Sequence, residues 1–442
     1  MNVYILTEIT KRELDSNLLL AFIAAMNGSS VLISNMDSIE YLSQKKIIKK
    51  GIFHTKSILH DERKQKLHEN LFKSGFKLTS IDEENGLIKE NLDNFCEMRF
   101  SEKSLKFIHK IFCWGNKDYS AISSHYKNFE EKLCKTGTPR CDLWKKKFIE
   151  YWKNPNVENN DNHKQVLISL NFALVNGFDS FEKIIQKLRI FKYFERSQNF
   201  EKEIYQIAQQ NKKDLKHFKD LINYLSKEFK NVKFLVRPHP KEKKKTWENL
   251  LDIEPNITIN NDNSFNDPLT KSEILIQNGC TTAFQAALYD LPVISYVVED
   301  NLDSHGRTAN KLGIQLSSKK QVKNMLNQLL SGKKIKHPLR EETLNNNLFI
   351  DDEKLSSFKI YEEWKILCEN DEIEKNNWNF IRLKLFLLDL TNIFKKDYKF
   401  EKIQIDEINL KLKKIRKILN IKETVRAVKI SNKSFLIKKD NE

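Results

Sequence analysis

Residues 272–297 read Ser272-Glu-Ile-Leu-Ile-Gln-Asn-Gly-Cys-Thr-Thr-Ala-Phe-Gln-Ala-Ala-Leu-Tyr-Asp-Leu-Pro-Val-Ile-Ser-Tyr-Val297. Ile274 to Ile276 is a short apolar run of the kind shown by a strand buried on both faces. Asn278 and Gly279 interrupt it, and Thr281 and Thr282 are of a type that caps helices. Phe284, Ala287 and Leu288 recur at helical spacing to about Tyr289, and Pro292 precedes a second apolar run, Val293 to Val297. Strand, tight polar turn, helix and strand predict a parallel βαβ unit.

The turn carries the chemical interest. A helix N-terminus presents unpaired N–H groups and about half a positive charge. The small residues Gly279, Cys280, Thr281 and Thr282, with Asn278 before them and Gln285 one turn on, would let a phosphate approach. The same residues also suit an ordinary capped helix. A second stretch adds weight: Val232 to Val236 reads as a buried strand ending in Arg237-Pro-His-Pro240. Ligands of open parallel sheets collect beyond the carboxyl ends of the strands, so Arg237 and His239 are expected on the same rim as the turn. Asn171, after a strand at Val166 to Leu170, joins them. Arg suits bidentate phosphate contact, and His can donate to an oxyanion or transfer a proton.

Working outward, the 442 residues suffice for two ordinary domains and an appendage. Asn2 to Leu6 is a strand, Glu8 to Asp15 a charged turn, and Leu14 to Met26 a helical stripe closed by Gly28. Val31 to Ser34 completes another βαβ unit, with Glu8, Arg12, Glu13 and Asp15 at its carboxyl rim. No GxGxxG follows the first strand, so the dinucleotide fingerprint is absent. Gly51 to Lys56 reads as a short rim segment. Phe76 to Ile81 is a strand followed by Asp82-Glu83-Glu84, and Phe107 to Cys113 a strand followed by Trp114-Gly115. Thr136-Gly-Thr-Pro-Arg-Cys-Asp142 is a further turn of small residues with one Arg. Carboxylates on such a rim either sit solvated or serve as bases or nucleophiles.

Residues 153–164 are polar and read as a linker, residues 178–211 as one long charged helical segment, and Leu215 to Phe229 as the helix leading into the Arg237 strand. Ile257 to Ile259 is a strand. Gly306 to Gly313 and a helix near Gln321 to Leu330 close the second domain. Beyond it the chain reads as helical and lysine-rich. This gives domains at 1–155 and 156–345 and an extension at 346–442, which either packs back as a bundle or offers a basic amphipathic surface.

Hydrophobic content of 40% with 10% aromatics supports real cores, and the formal net charge of +16 favours an anionic partner. No Lys/Arg block is interleaved with aromatics as a nucleic-acid groove needs, so nucleic acid is not expected. The six cysteines show no CxxC or metal spacing and read as free thiols. The longest apolar run, Leu18 to Met26, is far shorter than the roughly 20 residues of a spanning helix. A cytoplasmic protein is expected, with peripheral membrane contact open to it through the basic C-terminal helices.

Taken in order, Glu8-x3-Arg12-Glu13-Leu-Asp15, the Asp-Glu-Glu-x-Gly-Leu of 82–87, Trp114-Gly115, Thr136-Gly-x-Pro-Arg-x-Asp142, Arg237-Pro-His-Pro240 and Asn278-Gly-Cys-Thr-Thr282 resemble the bacterial surface carbohydrate biosynthesis protein family over about residues 1–300. The last two motifs are also similar to the signatures of β-Kdo transferases and teichoic-acid glycerophosphotransferases, with Cys280-Thr281-Thr282 where those families often have serines. The resemblance implies an α/β, GT-B-like fold: two Rossmann-like domains facing across a cleft, with a helical C-terminal extension. It further implies a glycosyltransferase taking a nucleotide-activated sugar, such as a CMP-linked ulosonic acid, to a surface polysaccharide or glycolipid.

Under that resemblance Arg237, His239, Asn278 to Thr282 and Gln285 hold the donor phosphate. Glu8 or Glu84 takes the acceptor proton, or acts as nucleophile if configuration is retained. Arg12, Glu13, Asp15, Glu83, Trp114, Arg140 and Asn171 line the cleft. No DxD stands in these segments, so neither metal nor cofactor is expected beyond the donor itself. A polyol-phosphate transferase, a sugar-nucleotide epimerase and a basic scaffold binding anionic polymer are the alternatives.

Overall fold

The computed structural model describes residues 1–84, 87, 92–153, 163–197, 199–260, 266–298, 307–391 and 403–440. The chain divides into two compact units: Met1–Asn85, Met98–Leu143 and Asn347–Glu442 form one, Gly86–Glu97 and Trp144–Asn346 the other. The first contains strands β1 (Asn2–Leu6), β2 (Ser30–Ser34), β3 (Ile52–Thr55), β4 (Lys77–Ile81), β5 (Lys110–Phe112) and β6 (Leu133–Cys134). The second contains β7 (Lys164–Ser169), β8 (Val232–Arg237), β9 (Ile257–Ile259), β10 (Ile274–Gln277), β11 (Val293–Tyr296) and β12 (Ile314–Leu316). β13 (Val425–Ser431) and β14 (Ser434–Lys439) return to the first unit.

In the first unit the sheet order is β13-β14-β2-β1-β3-β4-β5-β6. β1 to β6 run parallel, and β14 pairs antiparallel with β2, placing Phe435 opposite Ile33. Val3, Tyr4 and Ile5 of β1 have no solvent exposure, as expected of a strand covered on both faces. The chain-order reversal between β1 and β3 is a topological switch point, where such sheets bind ligands. Helix Thr10–Met26 is buried along Leu18 to Ala25 on all sides. It packs against helices Ser356–Leu367 and Ile405–Ile418 and strand β14, which explains why a helix apolar all round belongs here.

In the second unit the six strands are parallel, in the order β12-β11-β10-β7-β8-β9. Counted from β7, this is the 3-2-1-4-5-6 order of the Rossmann fold, with its switch point between β7 and β10. Val166, Ile168, Phe234, Val236, Ile274 and Ile276 form the sheet's contribution to the core. The βαβ unit read from residues 272–297 is β10, helix Thr282–Leu288 and β11.

Several elements differ from the sequence reading. Arg12 to Asp15 lie in the first turns of helix Thr10–Met26 rather than in a turn. The expected strand from Phe107 shortens to Lys110–Phe112. The long helical segment from 178 breaks into Phe181–Ile190, Tyr193–Arg196 and Phe200–Glu228, with Lys192 left-handed at φ 57° between the first two; the third absorbs the separate helix expected at Leu215. The extension has its helices at Ser356–Leu367, Trp378–Thr391 and Ile405–Ile418, but it is not wholly helical, because the β13–β14 hairpin ends it. Residues 154–162 of the expected linker, Gly306, and Asn85 and Gly86 of the 82–87 motif lie outside the described residues. Among the described residues no helix is long and apolar enough to cross a membrane.

Candidate functional site

The rim of the second unit is built by the carboxyl ends of β7, β8 and β10. β8 delivers Arg237, which is buried, and then His239. The His239 loop is held by Glu242, a fully buried carboxylate that the sequence reading missed. Its oxygens accept from Phe172 N (2.8 Å), His239 N (3.0 Å), Asn176 Nδ2 (3.2 Å) and Trp247 Nε1 (2.9 Å). His239 Nδ1 in turn accepts from Lys241 N at 3.2 Å. An imidazole accepting at Nδ1 carries its proton on Nε2. Burial, and then the Lys241 charge, push its pKa down to about 4, so at neutral pH the ring is an uncharged Nε2–H donor.

At β10 the turn is more committed internally than its sequence suggests. Gly279, at φ 62°, donates its N–H to Asn310 Oδ1 (2.8 Å), and Cys280 donates to Gln277 Oε1 (2.9 Å). Gln277 and Asn310 are linked to each other, and Asn310 reaches Asn278 Oδ1 (2.9 Å). Two of the backbone donors expected to meet a phosphate are therefore occupied. Across the switch point, Ser169 Oγ contacts Cys280 Sγ (3.6 Å) and Asn171 Nδ2 reaches Gly279 O (3.4 Å). Helix Thr282–Leu288 follows Thr281, which makes no side-chain cap. Thr282 Oγ1 and Gln285 Oε1 are buried without a hydrogen-bond partner among the described residues, a state that ordinarily signals an absent ligand or water.

The first unit gathers the other expected residues at its own switch point. Glu13, wholly buried, accepts from Glu8 N (2.8 Å), Ile9 N (3.1 Å), Lys56 Nζ (2.8 Å) and Arg12 Nη2 (3.1 Å). Glu8 pairs with Lys56 (2.8 Å) and Lys64 (3.1 Å). Arg12 bridges to Glu84 (2.8 Å), and Arg99 holds both Asp82 and Glu84 at 2.8 Å. Arg140 pairs with Glu83, donates to Arg12 O (3.0 Å) and lies 5.8 Å from the Trp114 ring centre. Trp114 Nε1 donates to Asp82 O (3.0 Å). The four motifs of the first unit thus meet in one network. Lys56, Lys64 and Arg99 supply cations that the sequence reading did not single out, although Lys56 ends the rim segment read at 51–56. Asp15 stands apart, paired with Lys411 (3.0 Å). Asp142 caps helix Ser356–Leu367, accepting from Ser356 N and Ser357 N at 3.0 Å.

These surroundings separate the carboxylates. Burial would raise the pKa of Glu84, but Arg99 and Arg12 outweigh it and hold the group at about 2. Burial is likewise outweighed at Glu8, where Lys64 and Lys56 lower the pKa. At Glu83 burial wins against Arg140, and Glu13 adds to it, so its pKa is raised. A carboxylate held near 2 is a weak base at neutral pH, which argues against Glu84 in the role first expected of it.

No family model and no curated protein matches the chain. Solved structures do. A Listeria monocytogenes protein assigned as a UDP-N-acetylglucosamine 2-epimerase matches with a TM-score of 0.51 at 11% identity, over 84% of this chain and 97% of that one. S. aureus MnaA with UDP matches with 0.51 at 12%, over 85% and 99%. The wall teichoic acid polymerase TagF matches at 0.47 and 13%, over 84% and 90%, too distant a likeness to argue from. At these identities the likeness is one of fold.

Proposed function

We propose that this chain, an α/β protein with the two Rossmann-like domains of the GT-B fold, is a glycosyltransferase that moves a sugar from a nucleotide-activated donor to a bacterial surface polysaccharide or glycolipid. The observation that carries the reading is His239. It is an uncharged Nε2–H donor, fixed by Lys241 N and by Glu242 under its backbone, at the carboxyl rim of a sheet in Rossmann order. The orphaned Thr282 Oγ1 and Gln285 Oε1 at the neighbouring strand end support a ligand there. The resemblance of Arg237-Pro-His-Pro240 and Asn278 to Thr282 to β-Kdo transferases favours a CMP-linked ulosonic acid as donor.

In the reaction the acceptor oxygen attacks the anomeric carbon, and the bond from that carbon to the phosphate oxygen breaks. The nucleotide phosphate leaves with the electron pair, and His239 Nε2–H and Arg237 meet the charge that develops on it. The acceptor proton passes to a carboxylate.

The test is incubation with CMP-, CDP- and UDP-activated donors, with and without an acceptor glycan. Acceptor-dependent release of CMP from a CMP-sugar, lost in His239→Ala, is the expected result. Isomerisation of a UDP-sugar without acceptor would make the chain an epimerase, and CMP release from a CDP-polyol would make it a phosphotransferase. Turnover undiminished in His239→Ala would remove the donor site from this rim.

A further inference from the structure

Helix Trp378–Thr391 is apolar on two opposite faces. At about 100° per residue, Ile381, Leu385 and Leu388 share one face; Ile381 and Leu385 are buried, and the helix packs on β13. Leu383, Phe386, Leu387 and Leu390 follow i, i+3, i+4, i+7 on the other face and are 53, 56, 46 and 48% exposed. A surface helix ordinarily turns polar residues outward, and a contiguous exposed apolar patch marks an interaction site. Alongside lies an open groove of about 650 Å³ between this stripe and residues Lys429 to Asn432 at the end of β13.

The charge around the patch selects its partner. Arg382 and Lys384 flank the stripe, one on each side, and Lys429 lines the groove. Asp389, the acidic group at the groove, is engaged by Asn432 N at 2.9 Å. From Trp378 to Asp440 the described residues carry 13 Lys and Arg against 5 Asp and Glu, compared with 76 against 60 in the whole chain. A second copy of this face would set like charges against each other. An anionic surface would not, and long Lys and Arg stems can keep their charges at headgroup level while the stripe enters below.

We propose that this face seats on an anionic bilayer. Leu383, Phe386, Leu387 and Leu390 enter the boundary between headgroups and acyl chains, while Arg382, Lys384 and Lys429 meet lipid phosphates. The inference stands independently of the donor assignment.

Co-sedimentation of the full chain with vesicles tests it. The wild type binds phosphatidylcholine vesicles containing phosphatidylglycerol and binds pure phosphatidylcholine far less. Arg382→Gln, Lys384→Gln and Lys429→Gln each lower partition to the mixed vesicles about fivefold. Phe386→Glu combined with Leu387→Glu lowers it about tenfold or more, with circular dichroism confirming the fold. Should that pair unfold the chain, the three Gln variants still decide. Absence of vesicle binding, partition unchanged in the apolar pair, or indifference to the three charges would overturn the proposal. So would a dimer that the apolar pair dissociates, which would give the patch to a second copy.

Discussion

Glu242 concentrates the residue-scale physics of the second unit: one buried carboxylate answers four donors from three segments of chain, and one of them is the backbone of His239. Gln at this position has one acceptor oxygen and turns an NH2 toward the remaining donors. Glu242→Gln should therefore destabilise by about 1–3 kcal/mol and weaken nucleotide binding, both read from thermal unfolding with and without nucleotide. In the first unit Glu84 gives a pH signature. Its folded pKa of about 2 lies below the ordinary 4.5, so its stabilising contribution is present above about pH 4.5 and is lost as pH falls toward 2. Glu84→Gln should be less stable than wild type at neutral pH, with the gap closing over that acid window in urea titrations. Half-exposure of the side chain keeps the effect small. Sequence could place Glu8, Arg12, Glu13, Glu83 and Trp114 on one rim because each follows a strand it could read, whereas the strand before Arg140, Leu133–Cys134, was not read. It could not show which cation each carboxylate would find, since Lys56, Lys64 and Arg99 arrive from other elements, nor that Asp15 and Asp142 would be taken up by the C-terminal helices.

Among the elements, the hairpin β13–β14 was the least legible. Val425, Ala427 and the alternating Arg426 do carry a strand period, but the segment is short and follows a long helical, lysine-rich pattern. Its strand character is realised only by pairing with β2 across some 400 residues of sequence, where Ser434 Oγ meets Ser34 Oγ at 2.6 Å. Phe435 on β14 is fully buried. Phe435→Ala should cost about 3–5 kcal/mol through lost burial and the cavity left behind, measured as a lowered denaturant midpoint at unchanged slope. A near-neutral result would mean that the hairpin is not part of the first unit's core. By contrast, β10, its turn and β11 were readable from residues 272–297 alone, because apolar runs, glycine and helical spacing all pointed to one unit. The same reading missed that the first N–H groups of the turn would be taken, Cys280's by Gln277 at the end of β10 and Gly279's by Asn310 from the helix Arg307–Asn310.

For the whole molecule, two α/β domains built of parallel βαβ units followed from the order of motifs and strands; the strand order of each sheet, its switch point and the antiparallel hairpin on the first did not, and the Rossmann order of the second is the geometric basis of the donor reading. Acid sensitivity is a property of the whole chain as well. Burial lowers the pKa of His54 and His68 to about 3, and of His109, His239 and His337 to about 4, against an ordinary 6.5. The unfolded chain then binds more protons than the folded one between about pH 6.5 and 3, so stability should fall steadily on acidification through that range; a flat profile would contradict the burial of these rings. The most direct test of the central claim is thermal unfolding of wild type and His239→Ala with CMP, CDP, UDP, GDP and ADP, since a ligand of the native state must raise the midpoint. A selective rise with one nucleotide, CMP foremost, that shrinks or vanishes in His239→Ala is the expected result. No rise with any nucleotide, or an equal rise in the variant, would contradict a donor site at this rim.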